Sequence, residues 1–172
     1  MGYGPFVADG IGGASGDRGS SGPVLLVSAC LLGVPCTHDG SARPSEALLA
    51  LRSARGARLV PVCPETVGGL PTPRPAAERS ASDGRVRTSS GADVTDAYER
   101  GADHAVRLAR AAGATGAVLK ARSPSCGCRE VYDGSFTRTR VAGEGVTAER
   151  LRLEGLEVRS EEELSGWEPA RG

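Results

Sequence analysis

The sequence lacks long apolar runs and has no excess of charge of either sign. None of its apolar stretches reaches the ~18 residues of a membrane-spanning helix, and no basic segment followed by an apolar one stands at its N-terminus. Lys and Arg together number 21, as do Asp and Glu, so the formal net charge is zero. Nucleic acid polymers are held largely by excess positive charge. We therefore expect no membrane and no nucleic acid polymer as partner, and a cytoplasmic location.

Cysteine is scarce, and the motif C-x-x-C is absent. Five cysteines are an odd number for a disulfide framework, and in a reducing compartment clustered thiols are more often metal ligands or catalysts than cross-links. The closest pairs are Cys30 with Cys36 and Cys126 with Cys128. Neither pair has the spacing common in structural zinc sites. The missing C-x-x-C also weakens the hypothesis of a thiol redox protein that uses one of these pairs.

The composition is typical of one globular domain. Of the 172 residues, 39% are hydrophobic and 24% are charged, which allows a core that needs no disulfides. Residues 1–22 are rich in Gly and Ser without a helical or strand pattern, and they are predicted to be a disordered extension. Residues 23–163 form the predicted α/β domain, and residues 164–172 a C-terminal tail.

Strand and helix patterns alternate along the domain. Short apolar runs predict strands at 24–29, 59–62, 117–119 and 156–158. Ser45 and Asp93 are predicted N-caps of two helices that Gly56 and Gly113 end. A third helix is predicted at 147–154.

This alternation predicts parallel βαβ units with right-handed crossovers. The expected fold is a single compact Rossmann-like α/β domain, with a mainly parallel sheet flanked by helices. Pro61 indicates that the second strand lies at a sheet edge or that the proline lies near a strand end. The proline-rich stretch 63–92 lacks periodicity and is predicted to be a long loop that acts as a lid or pocket wall.

Three cysteines follow three different predicted strands. Cys30 and Cys63 come directly after the first two strands, and Cys126 lies a few residues past the third. Loops at the carboxyl ends of parallel strands line one crevice, so these thiols are expected to converge. Three thiolates suit a soft metal or an iron–sulfur cluster. Buried structural cysteines are the alternative, since free Cys is among the most buried residue types.

Short motifs between about residue 24 and residue 163 resemble, in order, the thiouracil desulfurase family. They are Ser28-Ala29-Cys30-Leu31-Leu32-Gly33, Cys36-Thr37-His38-Asp39-Gly40, Pro61-Val62-Cys63-Pro64-Glu65, Gly68-Gly69-Leu70, Pro73-Arg74, Gly91-Ala92-Asp93-Val94-Thr95, Leu119-Lys120, Ser123-Pro124-Ser125-Cys126-Gly127, Tyr132-Asp133-Gly134-Ser135-Phe136 and Gly143-Glu144-Gly145-Val146-Thr147-Ala148. The resemblance implies a 4Fe-4S cluster that is held by Cys30, Cys63 and Cys126 and has one iron free of protein ligands.

Two more roles are implied by the same resemblance. Glu65 and Ser123 match the family's acid–base pair. A carboxylate and a hydroxyl beside an open metal site can move protons to and from a bound heterocycle and its attacking water. Without the resemblance, Glu65 could equally be a helix-cap or loop carboxylate, and Ser123 could simply hold a turn before Pro124.

Four residues near the ligands are candidates for contacting substrate or supporting the site: Cys36, Asp39, Lys120 and Ser125. Lys120 is the single lysine of a chain that otherwise uses Arg, which indicates a position where an ammonium is wanted. Asp39 precedes a glycine and is first of all a turn residue. Thr37-His38 stands where the family more often has Arg-Tyr, a departure that bears on substrate choice.

The function that the resemblance implies is non-redox desulfuration. A thiolated pyrimidine such as 2-thiouracil would be converted to its oxo form by water, with sulfide taken up by the cluster. The partner is then a small thiolated base, and the sequence does not indicate the final sulfur acceptor. The alternative is a non-catalytic protein that binds a cluster or a thionucleobase as a sensor or sulfur carrier.

Overall fold

A computed structural model of the chain describes residues 22–170; residues 1–21 of the predicted extension lie outside the described residues. The elements in chain order are β1 (Val24–Ser28), α1 (Glu46–Arg55), β2 (Arg58–Val62), α2 (Pro64–Val67), β3 (Ala77–Arg79), β4 (Val86–Thr88), α3 (Thr95–Ala112), β5 (Gly116–Leu119), β6 (Glu130–Tyr132), β7 (Arg140–Ala142), α4 (Val146–Leu153) and β8 (Glu157–Ser160). None of the helices in residues 22–170 is both long and apolar enough to cross a membrane.

Four strands form a parallel sheet in the order β2-β1-β5-β8. Val27 of the central strand β1 lies opposite Pro61 on one side and Val118 on the other. The predicted α/β class with a parallel sheet is confirmed. Pro61 lies in an edge strand, as predicted, where the missing N–H of proline interrupts the fewest sheet hydrogen bonds.

Side chains of β1 alternate between the two faces of the sheet and divide the core into two clusters. On one face Leu25 and Val27 pack with Leu48 and Leu51 of α1. On the other face Leu26 packs with residues of α3, β5 and α4; these are Ala105, Val106, Ala109, Ala117, Leu119, Ala148 and Leu151. Burial on both faces explains why β1 is a continuous apolar run rather than an alternating one.

The helix ends agree with the sequence in α1 and differ at one end of α3. The Ser45 side chain accepts a hydrogen bond from the Leu48 N–H, and α1 ends at Gly56, so both signals are confirmed. Val94, not Asp93, is the N-cap of α3. Asp93 forms a β-bridge with Arg87 and so keeps an extended conformation, while its carboxylate accepts the N–H and hydroxyl of Thr95.

The stretch 63–92 was predicted as one loop, but it contains α2 and a β3–β4 hairpin. A second hairpin, β6–β7, was also missed. Their strands are three residues long, too short for an alternating pattern to show. Tertiary contacts hold them, since the Glu78 carboxylate of β3 accepts the N–H groups of Gly134 and Phe136 in the β6–β7 turn.

The residues after β8 return to the sheet. Leu164 and Trp167 are buried and belong to the cluster that contains Leu25 and α1. The division of the chain at residue 163 stays a prediction, and these two side chains add to the core from beyond that point.

Two glycines let α2 approach α3 closely. A Cβ on Gly101 of α3 would lie 2.1 Å from the Pro64 carbonyl oxygen, and a Cβ on Gly68 would lie 2.1 Å from the Ala97 carbonyl oxygen. Both distances are far inside van der Waals contact. This approach fixes the position of α2, which carries Glu65, against the face of α3 that carries Tyr98.

Replacing Gly101 by alanine should therefore destabilise the protein. Overpacking costs about 1–3 kcal/mol. We expect the upper part of that range, because the atom in the way is a backbone oxygen that cannot rotate aside, and this cost exceeds the ~1 kcal/mol by which alanine is favoured over glycine in a helix. We expect a lower free energy of unfolding in urea than for wild type. Glu99→Ala, on the exposed side of α3, should change it by less than about 0.5 kcal/mol. A Gly101→Ala protein as stable as wild type would contradict this packing.

Candidate active site

A cavity of about 330 Å³ opens where β1, β2 and β5 end. Four thiols line it, those of Cys30, Cys36, Cys63 and Cys126. Cys30 lies in the 3-10 turn that follows β1, and Cys63 is the N-cap of α2 directly after β2. The three cysteines that follow strands are thus brought to one cavity, as the topology predicted, although at least 32 residues separate each from the next along the chain.

Burial shapes the acidity of these thiols. It raises the pKa of Cys30, and the nearby Cys63 adds to the effect, while Lys120 opposes it. Burial and the adjacent Cys63 raise the pKa of Cys36 to about 12. Burial also raises the pKa of Cys126, against a hydrogen bond with Ser28 that lowers it. Coordination removes the thiol proton, so loading of a metal centre here releases protons.

The thiols that line the cavity are a donor set that suits an iron–sulfur cluster. Among residues 22–170, no group of three or more His, Cys, Asp or Glu side chains is arranged to hold one metal ion. Thiolates that bind different irons of a cluster stand farther apart than the ligands of one ion. Soft sulfur donors from separate loops around one cavity are the ligands that iron–sulfur clusters use.

Glu65 and Ser123 lie together in the same cavity. The Ser123 hydroxyl donates to Glu65 Oε1 at 3.5 Å and accepts the N–H groups of Ser125 and Cys126, each at 3.1 Å. Because both N–H groups point at Oγ, the hydroxyl proton is left to face the carboxylate. Ser123 therefore stabilises the loop that carries Cys126 and also directs its hydroxyl proton at Glu65.

Arg74 pairs with Glu65 and Tyr98 lies near it, although neither residue was predicted to have a role at the site. Arg74 forms an ion pair of 2.7 Å with Glu65 in which the two side chains are 5% and 13% exposed. Tyr98 is buried on α3 and lines the same cavity as Glu65. Burial, then the Glu65 charge, raises the pKa of its hydroxyl. The pair Pro73-Arg74 in the family resemblance was the only sequence signal for Arg74, and Tyr98 is one of several buried residues of α3, a pattern that indicates packing rather than a role at the site.

Lys120 reaches the cavity wall at the end of β5. Its ammonium pairs with Glu161 at 2.5 Å, and its backbone N–H donates to the Ser28 hydroxyl at 2.9 Å. The second Glu161 oxygen accepts the N–H of Ala121. Lys120 thus joins the ends of β1, β5 and β8 beside Cys30.

Two of the predicted site residues lie outside the cavity. Asp39 is exposed in a turn, where hydrogen bonds from Ser41 and Thr37 lower its pKa. Ser125 is fully buried, and its hydroxyl lies 2.9 Å from that of Thr147. The positions of both side chains are those of residues that support loops, and their roles toward substrate stay predictions.

Cys128 and His38 line different cavities. Cys128 lies in a different cavity, of about 260 Å³, together with Arg129 and Arg152, and burial and Glu163 raise its pKa to about 11. It does not line the cavity of the four thiols. His38 does line that cavity and is exposed, as expected of a residue at its mouth.

Comparisons with known proteins agree with this geometry. The family model described as 2-thiouracil desulfurase matches residues 25–163. The uncharacterized protein YbbK of Bacillus subtilis (strain 168) is 39% identical over 150 residues, which cover 83% of this chain and 98% of that protein. A solved structure of the 4Fe-4S-dependent thiouracil desulfidase TudS is 46% identical, with a TM-score of 0.75, and the match covers 83% of this chain and 93% of that one.

Proposed function

Because the chain belongs to the 2-thiouracil desulfurase family, we propose that it is an iron–sulfur-dependent enzyme that converts a thiolated pyrimidine such as 2-thiouracil to its oxo form. Water replaces sulfur at the ring carbon, so one water is consumed, one hydrogen sulfide is formed, and no electrons are transferred. The enzyme is favoured over a non-catalytic sensor or carrier because a carboxylate and a hydroxyl stand beside the thiols.

We assign Cys30, Cys63 and Cys126 as the ligands of a 4Fe-4S cluster with one open iron. The assignment is supported by their positions after three strands and by their shared cavity. When bound, the cluster supplies a Lewis-acidic iron for the thiocarbonyl sulfur and accepts the sulfide. The cytoplasm keeps thiols reduced. All five cysteines in residues 22–170 are free, which supports a cytoplasmic location.

Glu65 and Ser123 carry out the proton transfers. Glu65 takes a proton from the attacking water as the oxygen bonds to the ring carbon. Ser123, whose hydroxyl already faces Glu65 Oε1, gives its proton to the ring nitrogen and is reprotonated by Glu65, or it holds that nitrogen in place. The cavity walls of Ala76, Ala77 and Val62 limit water around the base, which strengthens these hydrogen bonds.

The observation that carries the proposal is the meeting of this acid–base pair with three thiols in one cavity. The test is anaerobic reconstitution with iron and sulfide, followed by incubation with 2-thiouracil. We expect uracil and sulfide to form in equal amounts over many turnovers, with no added reductant. Fully loaded protein that binds thiouracils but forms no uracil from 2- or 4-thiouracil would instead support the sensor or carrier.

A further inference from the structure

The Arg74 guanidinium makes five contacts around the acid–base pair. Nε and Nη2 both contact Glu65 Oε2, at 2.8 and 2.7 Å. Nη2 also donates to the Cys36 carbonyl oxygen at 3.0 Å, and Nη1 donates to the Pro71 carbonyl and the Thr72 hydroxyl, each at 3.1 Å. The guanidinium is thereby fixed to two separate loops as well as to the carboxylate.

We propose that Arg74 is a positioning residue that aims Glu65 at the reacting water, an inference that rests on the proposed function. Both contacts of Arg74 go to the same carboxylate oxygen, so Oε1 is left as the oxygen that faces Ser123. Tyr98 of α3 lines the same cavity near the carboxylate. A carboxylate held in this way has one orientation, and the oxygen that takes the proton is always the same one.

The shape of arginine matters to this role. Its planar fork of donors can grip Glu65 and a backbone carbonyl at fixed angles, whereas lysine offers a point charge on a flexible stem. Misplacement of a reacting group by ~1 Å can cost ~10²-fold in rate. Arg74 also tethers the loop of Cys36 to the proline-rich segment, so its guanidinium sets the distance between that loop and Glu65.

The test compares Arg74→Gln and Arg74→Lys with wild type at matched iron content. We expect Arg74→Gln to lower kcat about 10²-fold with KM within about 3-fold, and Arg74→Lys to recover only part of the loss. Arg87→Gln is the control, because Arg87 pairs with Asp83 in an exposed part of the hairpin. A full recovery by lysine, or a loss that appears only in KM, would overturn the positioning role.

A double-mutant cycle identifies Glu65 as the residue through which Arg74 acts. In the Glu65→Gln background, Arg74→Gln should lower kcat by less than about 3-fold more, since the group that it positions is gone. The same cycle is measured by urea unfolding of the cluster-free chains, where the two substitutions should again be non-additive. Additive effects in either measurement would overturn the inference.

These two readouts separate the inference from the function on which it rests. If wild type forms no uracil, the proposed function fails, and the unfolding cycle still decides whether Arg74 and Glu65 are coupled. If wild type is active and the Arg74 variants match it, the function stands and the inference fails.

Discussion

Replacing Cys30, Cys63 or Cys126 by serine should abolish the broad visible absorption of the reconstituted protein and reduce uracil formation to the level of a protein-free blank. A serine hydroxyl is a hard donor that holds its proton, whereas iron–sulfur clusters are bound by thiolates. The measurement is the absorption spectrum with iron and sulfide content after anaerobic reconstitution, followed by turnover of 2-thiouracil.

Two other cysteines provide matched controls for that result. Cys128→Ser should keep full cluster content, because Cys128 lies in a different cavity. Cys36→Ser is the stricter control, since Cys36 shares the cavity and contacts Cys63. A cluster that survives in Cys63→Ser and is lost in Cys36→Ser would contradict our choice of three ligands.

Glu65→Gln should bind the cluster and the substrate normally, and its turnover should fall by about 10²-fold or more, the usual loss when a general acid or base is removed. Glutamine keeps the size of the side chain and its hydrogen-bonding reach but cannot accept the water proton. The measurement is the rate of uracil release at matched iron content, together with the spectral change on adding 2-thiouracil.

Glu154→Gln serves as the control for Glu65. Glu154, which follows α4, pairs with Arg110 of α3, and neither residue lines the cavity. Its loss should leave the rate within about 2-fold of wild type, as for most surface substitutions. A Glu65→Gln enzyme with the wild-type rate would transfer the proton role to Ser123, Lys120 or a water molecule.

Local chemistry made part of this fold predictable. Ser45 and Gly56 delimit α1 because a side-chain cap and a left-handed glycine depend only on neighbouring residues. The prediction that Asp93 is the N-cap of α3 was wrong because the Asp93 backbone pairs with Arg87. That contact depends on the presence of the β3–β4 hairpin. That hairpin was missed since its strands are held by Glu78 contacts with a turn more than fifty residues away.

Residues of the site could be predicted only where the strand topology or a family motif indicated them. The ends of β1, β2 and β5 place their cysteines in one cavity because neighbouring parallel strands end at one edge. Arg74 could not be predicted in this way, since no rule of spacing relates it to Glu65 across a segment that contains two prolines. Tyr98 lies at the site because two glycines bring α2 against α3. The spacing of apolar residues along a helix does not show how closely another helix approaches it.

The position of Pro61 in the edge strand also bears on aggregation. Among the described residues, β2 and β8 each pair with a neighbour on one side only. Proline offers no N–H to an incoming strand, and the exposed Arg58 of β2 and the charged Glu157 and Arg159 of β8 oppose docking of a second sheet. Each edge thus carries its own protection against intermolecular strand pairing, and this protection does not depend on the cluster being bound.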